Sequence, residues 1–125
     1  MEIREGKLVI RVRLGGRRIS VVEDALIDTG STFTVLPPEI VDYLELQRFR
    51  NLPRVKLTTA SGFIEVPLRL LNYIEIGAIK LENVPVVVHR IPDPAPIKIL
   101  IGMNLLEKAK LEVDGKAGKF EIGDP

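Results

Sequence analysis

Short alternation between apolar and polar side chains dominates this chain, with little helical periodicity. In Lys7–Leu14 the apolar residues Ile10, Val12 and Leu14 alternate with Arg11 and Arg13, the period of a strand with one buried face. Gly15-Gly16 predicts a two-residue hairpin turn, because such turns need positive φ, and Arg17–Ile27 is the returning strand. Phe33–Leu36 reads as a short strand. Pro37-Pro38, followed by apolar Ile40, Val41 and Leu44, predicts a short helix. Val55–Ala60 and Phe63–Leu71 form a second hairpin around Ser61-Gly62, and Asn72–Ile76, Val84–His89 and Ile97–Ile101 are further strands. Gly102–Ala109 predicts another short helix, and Lys110–Val113 and Lys119–Ile122 flank the turn signal Asp114-Gly115.

Many short strands, Gly/Pro turns and one or two short helices predict a mainly β fold, a closed or semi-closed β-barrel. No linker or low-complexity segment divides the sequence, so residues 1–125 are expected to form a single domain.

Composition narrows the chemistry. The chain has no Cys and one His, which removes disulfides and thiolate nucleophiles and leaves too few N/S ligands for zinc. No metal or cofactor is expected. Lys and Arg total 18 against 17 Asp and Glu, a near-neutral balance that argues against nucleic acid as a partner. The charged N-terminus has no signal-peptide pattern, and no apolar run approaches the ~20 residues of a membrane span. A cytoplasmic protein with no membrane contact is therefore expected, and any chemistry must run on carboxylates and hydroxyls.

Asp28 is the residue that most needs explaining. It follows Ala25-Leu26-Ile27 at the end of a predicted buried strand, where a carboxylate is costly unless it is hydrogen-bonded or shares a proton. Gly30 permits close backbone approach, and Thr29 and Ser31 bring hydroxyls that can donate to the acid. Taken alone, Asp-Thr-Gly is also an ordinary strand-ending turn.

The surrounding sequence resembles a known family. Ala25-Leu26-Ile27-Asp28-Thr29-Gly30-Ser31-Thr32 is similar to the active-site loop of aspartic peptidases, Leu100-Ile101-Gly102 to their late apolar-apolar-Gly element, and the hairpin Leu57–Val66 occupies the place of their flap. The three elements appear in family order between about Leu8 and Ala109. There is one Asp-Thr-Gly and no second, so the resemblance is to the retropepsin-like, single-lobe members, which act as homodimers. It implies a catalytic Asp28 from each chain sharing one proton, and an extended polypeptide substrate covered by Thr59, Ala60, Ser61, Gly62 and Phe63. It further implies Thr29 bonding across the two-fold axis, Gly30 keeping the backbone near the carboxylates, and Ser31 donating to the outer oxygen of Asp28, with an acidic pH optimum. Asn104 stands where relatives often carry Asp, at a position that is not catalytic in the family.

Other features have plainer readings. His89 ends an apolar run with no accompanying nucleophile motif and reads as structural. The basic hairpin Arg11, Arg13, Arg17 and Arg18 reads as a solvated strand face, as do Arg48, Arg50, Arg54 and Lys56. Beside the peptidase stand two other readings: a catalytically weak or inactive dimeric binding or scaffold domain of the same fold, and a β-barrel nucleic-acid module, which the charge balance disfavours.

Overall fold

A computed structural model describes residues 1–49 and 54–125. The elements in chain order are β1 (Glu2–Arg4), β2 (Lys7–Gly15), β3 (Ser20–Ile27), β4 (Thr34–Leu36), α1 (Pro38–Leu44), β5 (Gln47–Arg48), β6 (Arg54–Thr59) and β7 (Gly62–Ile76), then β8 (Ile79–Val88), β9 (Leu100–Ile101), α2 (Met103–Leu106), β10 (Lys110–Asp114) and β11 (Lys119–Gly123). Arg50, one of the basic residues singled out above, lies outside the described residues.

The mainly β expectation holds. The strands pair in the order β2-β3-β9-β4-β8-β7, and β7 returns to β2 with Val12 opposite Ile76 and Gly15 opposite Tyr73, closing a ring. β1, β11 and β10 extend the sheet beyond β2, and the β6–β7 hairpin projects from it. The ring is filled by apolar side chains from the alternating strands, among them Val12, Leu14, Leu36, Ile74, Ile76, Ile101 and Leu105, all essentially inaccessible to water. Leaving water is the main stabilising contribution at such positions. A second, smaller cluster of Val35, Val66, Leu68 and Val87 lies toward the β6–β7 hairpin, with Leu57, Ile64 and Leu100 packed against it.

Several local expectations are corrected. The β2–β3 connection is Gly16–Ile19, closed by Gly16 N–H donating to the Ile19 carbonyl at 2.9 Å, and neither Gly15 nor Gly16 has positive φ. Their glycines serve close approach instead: a Cβ at Gly15 would enter the Tyr73 ring, and one at Gly16 would meet the Leu44 carbonyl. The turn between β6 and β7 is Ala60-Ser61 rather than Ser61-Gly62, because Thr59 pairs with Gly62. Gly62 takes φ +122°, a conformation that favours glycine. β7 runs unbroken through the expected gap between Leu71 and Asn72, and Gly77 at φ +57° turns it into β8. The expected strand Ile97–Ile101 is reduced to Leu100–Ile101, and the second helix to Met103–Leu106. At the β10–β11 turn the positive-φ glycine is Gly118, not Gly115. β1 and β5 carry too few residues to show a period.

Candidate active site

Asp28 stands one residue beyond β3. The parallel pairing of Leu26 with Leu100 and Ile27 with Ile101 aligns the ends of β3 and β9, and Asp28 N–H donates to the Ile101 carbonyl at 2.9 Å. The chain then turns tightly: Ser31 N–H donates to the Asp28 carbonyl at 3.2 Å, and Gly30 N–H donates to Asp28 Oδ1 at 3.0 Å. The half-buried carboxylate is thus oriented by its own loop.

Ser31 does not follow expectation. Its hydroxyl donates to the Phe33 carbonyl at 2.7 Å, so its single proton is committed to bracing the loop rather than to the Asp28 carboxylate.

The late apolar-Gly element supports the loop from behind. A Cβ on Gly102 would enter the Phe33 carbonyl and come within 2.8 Å of the Ser31 carbonyl oxygen. The N–H groups of Met103 and Asn104 donate to the carbonyls of Ser31 (2.7 Å) and Thr32 (3.0 Å). These are α2's first N–H groups, which have no partner inside the helix.

Thr34, fully buried, donates its N–H and its hydroxyl to Asn104 Oδ1 and accepts from Gly102 N–H at 3.2 Å. Asn104 Nδ2 donates to the Pro85 carbonyl at 2.7 Å. The sequence marks Asn104 as a departure from the family but does not show its bond to Thr34. The available signal was an amide two residues after Gly102 and a hydroxyl inside the apolar strand Phe33–Leu36, two polar groups that burial obliges to find partners. Among the described residues, no buried side-chain polar atom lacks one.

A cleft of about 410 Å³ opens over this loop. Asp28, Gly30, Ser31 and Thr32 line it on the loop side, together with Val35, Leu100, His89 and Ile91, and Lys56–Thr59 of β6 line it as well. Of the residues expected to cover the substrate, Thr59 lines the cleft. Ala60, Ser61, Gly62 and Phe63 form the hairpin tip, and Phe63 is 73% exposed. Thr29 is exposed on the turn and outside the lining; Ile101 and Gly102 hold the loop without reaching the cleft. His89 donates its backbone N–H to the Leu36 carbonyl at 3.0 Å and also lines the cleft.

A larger cavity of about 690 Å³ lies against β1–β3 and residues 95–99, but it is lined by side chains of both charge signs and does not touch Asp28. The smaller cleft is therefore the candidate, since it joins the oriented acid to an apolar wall. Among the described residues, no three His, Cys, Asp or Glu side chains are grouped closely enough to hold a metal ion. Among the described residues, no helix is long and apolar enough to cross a membrane.

The loop, the hairpin above it and the buttress behind it lie within residues 10–105, the span matched by the aspartyl protease family. The chain belongs to that family. Its fold is similar to that of a retropepsin-like aspartic protease from Rickettsia conorii, at 23% sequence identity and a TM-score of 0.67, covering 99% of this chain and 87% of that one. No match was found among curated proteins. As an aspartyl protease family member the chain has one Asp in an Asp-Thr-Gly loop, and its other aspartates, Asp24, Asp42, Asp93, Asp114 and Asp124, do not line the cleft.

Proposed function

We propose that this protein is a homodimeric aspartic endopeptidase in which residues 1–125 act as one domain and Asp28 of each copy supplies half of the catalytic pair. The observation that carries the reading is the oriented carboxylate: Asp28 Oδ1 accepts from Gly30 N–H at 3.0 Å at the floor of a cleft bounded on another side by β6. Thr29 and Gly30 are exposed beside it, and among the described residues the Thr29 hydroxyl has no hydrogen-bond partner in its own chain. Both features suit a loop that meets its symmetry mate, since a two-fold interface brings the same residues together from both sides.

Two carboxylates about 3 Å apart cannot both ionise, so such a pair holds one proton and titrates as a unit. The ionised member takes a proton from water as the water attacks the scissile carbonyl. The protonated member hydrogen-bonds the carbonyl oxygen and then a carboxyl proton passes to the leaving amine. Gly30 N–H keeps the acid aimed, and the apolar wall of Val35, Ile91 and Leu100 takes substrate side chains. The substrate lies extended between the loop and the β6–β7 hairpin, bound through its main chain.

The test is cleavage of an unstructured polypeptide between about pH 4 and pH 7, with and without a pepstatin-type inhibitor. Adding an equal amount of Asp28→Asn protein should remove about half the wild-type activity through mixed dimers; unchanged activity would mean that one chain works alone. A dimer that cleaves nothing at any pH would support a binding domain of the same fold.

A further inference from the structure

One face of the β6–β7 hairpin and the neighbouring β5 carries a row of cations that outnumber the acids beside them. Residues directly opposite each other in a sheet share a face, as do residues two apart on one strand. Lys56 lies opposite Glu65, Arg54 opposite Pro67 and Arg48 opposite Arg69, and Glu65, Pro67 and Arg69 are successive same-face positions of β7. Arg48, Arg54, Lys56 and Arg69 therefore share one face with a single acid, Glu65. The exposed ring of Phe63 occupies the next position of the row.

The charges are poorly answered within the chain. Glu65 is spent on Arg54, at 4.0 Å from Nε, while Arg69 donates to its own neighbour's carbonyl, Leu68, at 3.0 Å. Arg48 and Arg69 stand directly opposite each other, an arrangement that like charges disfavour in a sheet. Burial and the Arg48 charge hold the Arg69 guanidinium below its ordinary value, with Asp42 acting the other way and Arg54 adding to the lowering. The four residues 50–53, Arg-Asn-Leu-Pro, contain no acid that could answer these charges.

We propose that this row is a docking site for an acidic, extended stretch of the polypeptide whose neighbouring segment enters the cleft. Side chains on one face of an extended strand recur about every 7 Å, so acids at alternate positions of a bound peptide match the spacing of the cations. β6 pairs only with β7 among the described residues, leaving its other edge open to an added strand. Lys56 belongs to the row and also lines the cleft, so the row begins at the cleft's edge. One aromatic ring, Phe63, is too few for the base stacking that single-stranded nucleic acid uses. That the docked stretch belongs to a substrate rests on the peptidase reading; the binding itself does not.

The test uses full-length Asp28→Asn protein and three fluorescent probes: a peptide with Glu at alternate positions, its Gln counterpart, and an oligo-dT strand. The Glu peptide should bind at least about tenfold more tightly than the Gln peptide, with the difference fading at about 1 M salt. Arg48→Glu should weaken it about tenfold, and Arg18→Glu, on the β2–β3 turn, should not. Equal binding of the Glu and Gln peptides, indifference to Arg48→Glu, or tighter binding of the oligo-dT would each overturn the proposal. A parallel cleavage assay with wild-type protein separates the two claims. Selective Glu-peptide binding without cleavage supports the row and counts against the peptidase; cleavage with no acid preference that also ignores Arg48→Glu does the reverse.

Discussion

Asn104 reaches back 70 residues to Thr34 and accepts both its backbone N–H, at 2.9 Å, and its hydroxyl, at 3.0 Å. The same amide donates to the Pro85 carbonyl on β8. One side chain at the start of α2 thereby joins β4 and β8 beneath the loop that carries Asp28.

Asn104→Ala should destabilise the protein by about 2–3 kcal/mol, because it strands the Thr34 N–H and the Pro85 carbonyl in a part-buried setting. Asn104→Asp keeps the acceptor for Thr34 but turns an oxygen toward the Pro85 carbonyl, so it should fall between alanine and wild type or below both. Urea denaturation measures either. A loss under about 0.5 kcal/mol for alanine would remove the clamp from the account of the site.

Two glycines of the site should respond differently to alanine. At Gly102 the new Cβ would meet backbone, the Phe33 and Ser31 carbonyls, which have no room to move, and a loss of about 3 kcal/mol is expected. At Gly30 the sole contact is Asp28 Oδ1, at 3.3 Å. Gly30→Ala should leave stability within about 1 kcal/mol while displacing the carboxylate, so cleavage should fall much further than the melting temperature.

Ser31→Ala separates two views of the same hydroxyl. With its proton given to the Phe33 carbonyl, removal should lower stability by about 1 kcal/mol and leave the pH optimum in place. A displaced optimum would restore a direct bond from Ser31 to Asp28.

Asp28→Asn keeps an oxygen to accept from Gly30 N–H, so its thermal unfolding should match wild type. Its kcat/KM should drop by at least about a thousandfold. Residual cleavage near the wild-type rate would move the chemistry away from Asp28.

Exposed ion pairs, weakened by solvent screening, should make a modest contribution to acid lability. The Glu39 carboxyl is held below its ordinary value of 4.5 by its own backbone N–H and by Arg90, whose guanidinium bonds both of its oxygens. Asp93 is lowered by its bond from Lys98, and Glu112 by its bond from Lys110. Groups with a depressed folded pKa add stability above the unfolded value and lose it as pH falls through the folded one. The denaturant midpoint should therefore decline from about pH 5 toward about pH 3, and Glu39→Gln should make that decline shallower. An unchanged slope would assign the loss to other carboxylates.

Much of the fold was legible because it rests on local patterns. Alternation and turn signals exposed β2, β3, β6 and β11, an apolar run exposed the second half of β8, and Pro37-Pro38 marked the start of α1, since strand period and helix entry are written within a few residues. The Asp28 loop was legible for a similar reason: an acid after three apolar residues is an anomaly that any reading must explain. The roles within the site were less so. Gly15 looked like a turn residue and proved to be the floor beneath Tyr73. Ser31 looked like a partner of Asp28 and braces Phe33 instead. Of the five residues assigned to the cover, Thr59 reaches the cleft while Lys56, Leu57 and Thr58 stand in for the rest.

By itself, the sequence determined a mainly β chain with one Asp-Thr-Gly acid, no Cys and one His. The tertiary structure decided what surrounds the acid. It set Asn104 against Thr34, packed Gly102 against the loop, and placed Arg48 opposite Arg69. Each of these joins residues 21 to 71 positions apart. Hydrophobic period and turn chemistry act over a few residues, whereas hydrogen bonding, close packing and charge repulsion act between whichever groups the closed ring brings within a few ångströms.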